Sequence, residues 1–181
     1  MSPVPLPALI ECYWVVPDRF LAGEYPAHMD RPHISERLDA LLAAGIDSFF
    51  DLTEPGELEP YLPRLQARAA SGGRSVSHQR FPMPDFGLPQ PEDMQALLDA
   101  IDSALAEGHN VYLHCWGGIG RTGMTVGCYL VRHRRSGAEA LDQIAAWRQG
   151  LGSSRFYPRS PETAGQVDFV RSWGESADAE K

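Results

Sequence analysis

A short apolar strand that runs directly into a glycine-rich loop and then into a helix constrains the fold of this chain more than any other feature. Residues 111–113 predict a buried strand, and the apolar residues 124–131 predict a helix. Between them lies the segment HCWGGIGRTG, residues 114–123. A loop that joins the carboxyl end of a strand to the amino end of a helix offers unpaired N–H groups and the positive end of the helix dipole. This part of the chain therefore predicts an anion-binding site.

Helices and short strands alternate along the rest of the sequence. The segment WVVPDRFLAGEYP predicts two strands in a hairpin-like arrangement, closed by Gly23 and Pro26. Residues 82–91 hold four prolines and a glycine, which predicts a surface loop because such a segment fits neither a helix interior nor a central strand. The remaining pattern predicts helices over residues 33–44, 61–70, 91–107, 138–149 and 161–173, and strands over residues 46–52 and 75–81.

This alternation predicts an α/β fold with a central, mostly parallel, twisted sheet that is flanked by helices. The length of 181 residues fits one domain over residues 1–181, in which residues 174–181 are predicted to form a flexible tail.

The charge of the chain bears on its partners. The net charge is −8, and Lys181 is the only lysine, which argues against nucleic acid and anionic membranes. Three cysteines without a Cys-x-x-Cys spacing predict free thiols, with no metal or other cofactor. The amino-terminal segment lacks the basic region of a signal peptide, and no apolar run approaches the roughly 18 residues of a membrane span. We therefore expect a cytoplasmic protein; the sequence does not reveal its oligomeric state.

The glycine-rich loop combines an anion site with a nucleophile. The loop glycines allow the backbone to curl around a ligand, and Arg121 adds a fork of donors that matches two phosphate oxygens. Cys115 begins the loop, where the amide dipoles and the guanidinium favour its thiolate. A thiolate that faces a bound phosphate predicts phosphoryl transfer through a phosphocysteine intermediate, with Cys115 as the nucleophile and Arg121 as the phosphate clamp.

The spacing of Cys115 and Arg121 is not specific by itself. Cys128 and Arg134 have the same spacing in CYLVRHR, a segment without glycine that predicts an ordinary helix. The copy at Cys115 differs because His114 precedes it, Thr122 follows its arginine, and the strand and helix lie on the correct sides.

Three local motifs resemble those of the protein-tyrosine-phosphatase superfamily. HCWGGIGRTG resembles its signature loop, and MPDFGLP resembles the mobile acid loop of the tyrosine-specific branch, with Met83 in place of a tryptophan. PETAGQVDFV resembles a later loop whose glutamine positions water. The motifs extend over residues 82–170, and the short length is similar to that of small bacterial or dual-specificity members.

The resemblance implies a role for individual residues. Asp85 would protonate the leaving oxygen and then act as the base for water, which Gln166 would orient. Thr122 would donate to the departing thiolate, and His114 would orient the loop through hydrogen bonds. The predicted substrate-binding residues of the loop are Trp116, Gly117, Gly118, Ile119, Gly120 and Arg121.

Several alternatives remain open at this stage. The substrate class that the resemblance favours is a phosphotyrosine protein or peptide, with phosphoserine or phosphothreonine as further substrates. An inositol phosphate or phosphoinositide phosphatase is a second hypothesis, against which the absence of lysine between Cys115 and Arg121 argues. A phosphoprotein-binding pseudophosphatase is a third hypothesis. Glu54 is equally well interpreted as a brace for Arg121 or as a solvated carboxylate, and Arg155 and Arg159 are expected to be solvated.

Overall fold

The computed structural model describes residues 4–7, 9–27 and 33–176, with side chains described to residue 174. One sheet and six α-helices make up the fold. The strands are β1 (Cys12–Val16), β2 (Phe20–Gly23), β3 (Ser48–Asp51), β4 (Ser77–Arg80) and β5 (Val111–His114). The helices are α1 (Ile34–Ala43), α2 (Leu62–Ser71), α3 (Pro91–Ala106), α4 (Gly120–Arg132), α5 (Gly137–Arg148) and α6 (Ala164–Ser176), with a 3₁₀ turn at Gly152–Arg155 between the last two.

The sheet is mostly parallel, which confirms the predicted fold class. Its strand order is β1-β2-β5-β3-β4, and only the edge strand β1 runs antiparallel to its neighbour. β5 is the middle strand, where His114 lies level with Gly23 on one side and Asp51 on the other. Cys115 directly follows β5 and therefore lies at the carboxyl edge of the sheet, beside its middle strand.

Alternating side chains of the strands divide the core between the two faces of the sheet. Val111 and Leu113 belong to the cluster that α3, α4, α5 and α6 cover, whereas Tyr112 belongs to the cluster beneath α1 and α2. This alternation is the period of two that a strand imposes on its side chains. Burial of β5 on both faces fixes the position of the loop that follows it.

The boundaries of two helices differ from the predicted ones by three residues or more. α4 begins at Gly120, four residues before the predicted start, and nearly all of its residues are buried. Packing on all sides therefore stabilises its polar first turn, which apolar periodicity does not detect. α6 begins at Ala164 rather than residue 161 and extends to Ser176, so Gly174 is helical and not part of a tail. Residues 177–181 of the predicted tail lie outside the described residues.

None of the helices in the described part of the chain combines the length and apolarity that crossing a bilayer requires.

Candidate active site

The loop after β5 curls at the base of a cavity of about 430 Å³. Cys115 and Arg121, at opposite ends of the loop, are both almost fully buried. Among the described residues, the N–H groups of Gly117, Gly118 and Ile119 donate to no hydrogen-bond acceptor. The cavity is lined by Glu24, Asp85, Phe86, Cys115, Trp116, Gly117, Ile119, Gly120, Arg121, Ser153, Tyr157 and Glu162. Seven of the predicted site residues thus surround one cavity: Asp85, Cys115, Trp116, Gly117, Ile119, Gly120 and Arg121.

Gly118 is the loop position at which only glycine fits. Its φ is +68°, in the left-handed region, and a Cβ there would lie 2.5 Å from the carbonyl carbon of Gly23 and 2.7 Å from the backbone nitrogen of Glu24. The loop therefore packs directly against the end of β2. That contact, together with β5, holds the loop on two sides.

Arg121 is held on one side by a carboxylate and has free donor capacity elsewhere. Nη1 donates to Glu57 Oε2 at 2.8 Å and to the carbonyl oxygen of Met83 at 3.1 Å, and Nη2 donates to Glu57 Oε1 at 2.6 Å. Its Nε is buried and has no acceptor among the described residues. Burial opposes ionisation of Glu57, but the hydrogen bond from Arg121 outweighs it and lowers the pKa of Glu57. The Nε edge of the guanidinium thus remains for a ligand.

The carboxylate that holds Arg121 is Glu57 and not Glu54. A turn through Gly56 places Glu57 beside Arg121, and the N–H of the exposed Glu54 donates to Glu57 Oε2 at 2.8 Å. Both glutamates occur in DLTEPGEL, so the sequence located the segment. The choice between the two depends on a turn whose geometry cannot be read from residue type.

Asp85 lies in the loop between β4 and α3, at the mouth of the cavity. Its Oδ1 is 3.1 Å from Arg121 Nη2, and 43% of its side chain is exposed. The loop is anchored by Met83, which is buried in the core and whose N–H donates to the carbonyl oxygen of Leu52 at 3.1 Å. Asp85 and Cys115 therefore line the same cavity, and Met83 anchors the loop that carries Asp85.

His114 is the centre of a buried polar network beneath the loop. Nδ1 donates to the carbonyl oxygen of Cys115 at 3.3 Å, and Nε2 is 2.7 Å from the hydroxyl of Tyr61. Burial lowers the pKa of His114 to about 4, so the ring is neutral at pH 7 and Nε2 accepts from Tyr61. Asp51 Oδ1 lies 3.9 Å from Nδ1. His114 is thus bonded to the first residue of the loop, and its orienting role stays a prediction.

Gln166 and Thr122 are buried near the cavity and are not among the residues that line it. Gln166 Oε1 accepts from the N–H groups of Glu162 and Thr163 at 3.1 and 3.3 Å, and its Nε2 donates to the carbonyl oxygen of Gly87 at 3.3 Å. Gln166 thus joins the late loop to the loop of Asp85. The hydroxyl of Thr122 is buried and has no partner in the described part of the chain. The roles of both residues in catalysis stay predictions.

Five residues that line the cavity escaped the sequence analysis: Glu24, Phe86, Ser153, Tyr157 and Glu162. Glu162 had the strongest sequence signal of these residues, because it lies four residues before Gln166 in the motif PETAGQVDFV. Burial, and then the negative charge of Asp85, raise the pKa of Glu162. Arg155 and Arg159 are exposed and do not line the cavity, as expected.

The chain matches a known family over most of its length. The family described as "Swiss Army Knife protein, DSP-PTPase phosphatase domain" (PTP-SAK) matches residues 10–165. The dual specificity protein phosphatase CDC14B of Mus musculus is 28% identical over 150 residues, which are 76% of this chain and 27% of that protein. The protein tyrosine phosphatase domain-containing protein 1 of Mus musculus is 30% identical over 173 residues, 87% of this chain and 21% of that protein. The chain thus spans less than a third of either relative.

Solved structures show the same fold. Tk-PTP in its active form superimposes with a TM-score of 0.70 at 26% identity, over 91% of this chain and 97% of Tk-PTP. The kinase-associated phosphatase KAP, with serine in place of its catalytic-site cysteine, superimposes with a TM-score of 0.74 at 19% identity. That match covers 100% of this chain and 99% of KAP.

Proposed function

Because the chain belongs to the DSP-PTPase domains of the protein-tyrosine-phosphatase superfamily, we propose that it hydrolyses phosphotyrosine in proteins or peptides through a phosphocysteine intermediate. Phosphoserine and phosphothreonine are further substrates under this proposal. The observation that carries it is the cavity in which Cys115, Arg121 and the free N–H groups of the loop meet. A cytoplasmic location belongs to the proposal, because the three cysteines, of which Cys115 is the proposed nucleophile, are free thiols, and thiols stay reduced in that compartment.

In the first step the Cys115 thiolate attacks phosphorus, so that a sulfur–phosphorus bond forms as the bond from phosphorus to the ester oxygen breaks. Asp85 gives its proton to the leaving oxygen. The loop N–H groups and Arg121 bind the equatorial oxygens, over which negative charge is spread in the transition state. In the second step water attacks phosphorus, Asp85 takes a proton from it, and the thiolate leaves. Inorganic phosphate is the second product.

The charge of the cavity favours a substrate with a single phosphate. Glu24, Asp85 and Glu162 line it, and Arg121 is the only basic residue among the described residues that do so. Several phosphates on one substrate would face these carboxylates without enough cations to neutralise them. PTPMT1, whose structure was solved in complex with PI(5)P, is 19% identical to this chain. The charge of the cavity therefore disfavours the phosphoinositide alternative.

Aromatic side chains at the mouth favour an aryl ester. Phe86, Trp116 and Tyr157 line the cavity and are exposed by 59, 42 and 52%. Such surfaces pack well against a flat ring. A phosphotyrosine side chain offers both the ring and the dianion.

The test is turnover of a phosphotyrosine peptide by wild type, Cys115→Ser and Cys128→Ser. We expect at least about a 1,000-fold loss in Cys115→Ser, because the nucleophile is removed. Cys128→Ser, in the segment with the same Cys-to-Arg spacing, should keep turnover within about fivefold, since Cys128 lies only in the core. Survival of activity in Cys115→Ser would contradict the proposal, as would faster turnover of phosphoinositides than of the peptide. Peptide binding by wild type without turnover would favour the pseudophosphatase.

A further inference from the structure

The last residue of α5, Arg148, places its guanidinium against the loop between β5 and α4, residues 115–119, which is the phosphate-binding loop under the proposed function. Arg148 is 3% exposed. Nη1 donates to the carbonyl oxygen of Gly118 at 3.2 Å, and Nη2 donates to the carbonyl oxygen of Tyr157 at 3.3 Å. Its Nε is buried without an acceptor among the described residues, and none of the ion pairs formed within them includes Arg148. Buried charges are normally paired, so an unpaired guanidinium at this depth indicates a function beyond packing.

The groups that face Arg148 from the surrounding elements are Tyr13, Glu11, Cys115 and Glu162. Burial raises the pKa of Tyr13, which keeps its hydroxyl neutral. The carboxylate of Glu11 already accepts from the N–H of Ser153 at 3.0 Å. Burial also raises the pKa of Glu162, which makes its carboxylate a weaker source of negative charge. Of these groups Cys115 begins the loop whose Gly118 carbonyl accepts from Arg148, and Arg121 and Tyr13 also interact with Cys115.

The bond to Gly118 also controls the direction of a peptide group. The C=O and N–H of one peptide unit point in opposite directions. With the Gly118 carbonyl directed at Arg148, the N–H of Ile119 points away from Arg148, and Ile119 lines the cavity. Gly118 has φ of +68°, where glycine moves easily between conformations. The hydrogen bond from Arg148 to the Gly118 carbonyl therefore holds the loop in one of the conformations that Gly118 could adopt.

The bond to Tyr157 links the loop to a wall of the cavity. Ser153 and Tyr157, on the segment between α5 and α6, line the cavity. Arg148 thus contacts the phosphate-binding loop and this wall at the same time.

We propose that Arg148 is a positioning residue for the phosphoryl transfer, which holds the loop in its anion-binding conformation through Gly118 and provides a second positive charge for the Cys115 thiolate. This inference rests on the proposed function. It assigns to α5 a part in catalysis although Arg148 is not among the residues that line the cavity.

Two variants separate the charge from the hydrogen bonds. Arg148→Gln removes the charge but keeps a donor for Gly118, and Arg148→Lys keeps the charge but loses the planar fork that serves two carbonyls. Arg132→Gln is the control, because Arg132 is the last residue of α4, forms ion pairs with Asp99 and Asp102 and does not line the cavity. The rate of Cys115 alkylation by iodoacetamide against pH, with the modified cysteine identified by mass spectrometry, reports the thiolate without turnover. The inhibition constant for inorganic phosphate reports whether the loop keeps its anion-binding conformation.

We expect Arg148→Gln to move the alkylation midpoint upward by about one pH unit, as loss of a nearby cation should. Arg148→Lys should leave the midpoint nearly unchanged and raise the inhibition constant for phosphate at least about fivefold. Arg132→Gln should change neither. An unchanged midpoint in folded Arg148→Gln would overturn the inference, and so would an unchanged phosphate constant in Arg148→Lys. Should Arg148→Gln not fold, the phosphate constant of Arg148→Lys decides. Wild type without turnover would instead overturn the proposed function.

Discussion

The guanidinium of Arg121 is fixed before any ligand arrives. Glu57 binds both terminal nitrogens, and Nε has no acceptor among the described residues. A long flexible side chain usually loses conformational freedom when it binds an anion, and here the fold has already imposed that loss. The position of this one side chain therefore depends on a glutamate that comes from a distant loop.

Replacement of Glu57 should expose this dependence. In Glu57→Ala we expect kcat/KM for a phosphotyrosine peptide to fall by about 10- to 100-fold, because the guanidinium is no longer aligned with the phosphate. Glu54→Ala is a matched control from the same turn and should stay within about twofold. Steady-state kinetics at one pH and ionic strength checks both variants. Equal losses in the two variants would show that the turn as a whole matters and that Glu57 has no special part.

At the scale of elements, the site is assembled where the phosphate-binding loop meets the end of β2. Gly118 approaches Gly23 so closely that a Cβ would lie 2.5 Å from its carbonyl carbon. Strand pairing of β2 with β5 fixes this approach, since Gly23 lies level with His114. The hairpin of β1 and β2 thus shapes the loop although it contributes little chemistry.

Gly118→Ala should therefore damage the loop more than the fold. The new methyl group meets backbone atoms and the backbone must hold φ of +68°, so we expect a loss of about 2 kcal/mol in unfolding free energy and at least about a 100-fold loss of kcat. Gly150→Ala is the control, because a Cβ there meets nothing within 4 Å, and stability should change by less than about 1 kcal/mol. Urea unfolding and turnover measure the two effects. Wild-type turnover in Gly118→Ala would contradict the close approach.

The order of the elements and the phosphate-binding loop could be predicted from the sequence because their signals are local. Glycines, prolines and apolar periodicity mark the strand before Cys115 and the loop that carries Asp85. Arg148 and Glu162 escaped prediction because their importance depends on which distant segments approach them. A weak signal for Arg148 exists, since Ala140, Ile144 and Arg148 form the buried stripe of α5 at intervals of four residues. A charged residue within such an apolar stripe indicates a buried charge.

At the scale of the whole molecule, a polar row runs along the carboxyl ends of three strands, from the middle strand β5 through β3 to the edge strand β4. Asp51 and His114 lie level on neighbouring strands, and Arg80 follows on β4, where its Nη2 donates to Asp51 Oδ2 at 2.8 Å. Burial opposes the ionisation of Asp51, but hydrogen bonds from His78 and Thr53 and the charge of His114 hold its pKa well below the usual range. Global unfolding exposes this row to water, so its titration appears in the stability of the protein.

The dependence of stability on pH should therefore carry the signature of His114. Its pKa is about 4 in the fold and about 6.5 in the unfolded chain. Between these values the unfolded state binds a proton that the folded state does not, so the free energy of unfolding should fall as pH falls from 6.5 to 4. The loss attributable to His114 should approach about 3 kcal/mol. The low pKa of Asp51 adds its own loss only below its unfolded value of about 3.9.

Comparison with His114→Gln isolates this contribution from every other group that titrates in the same range. Glu162, whose pKa is raised, acts in the opposite direction, but it is present in both proteins and cancels in the difference. Urea unfolding at intervals from pH 4 to 7 should show a shallower slope for His114→Gln than for wild type. If His114→Gln retained the wild-type slope, His114 would have to be protonated inside the fold, and its hydrogen bond from Tyr61 would be lost because Nε2 could no longer accept.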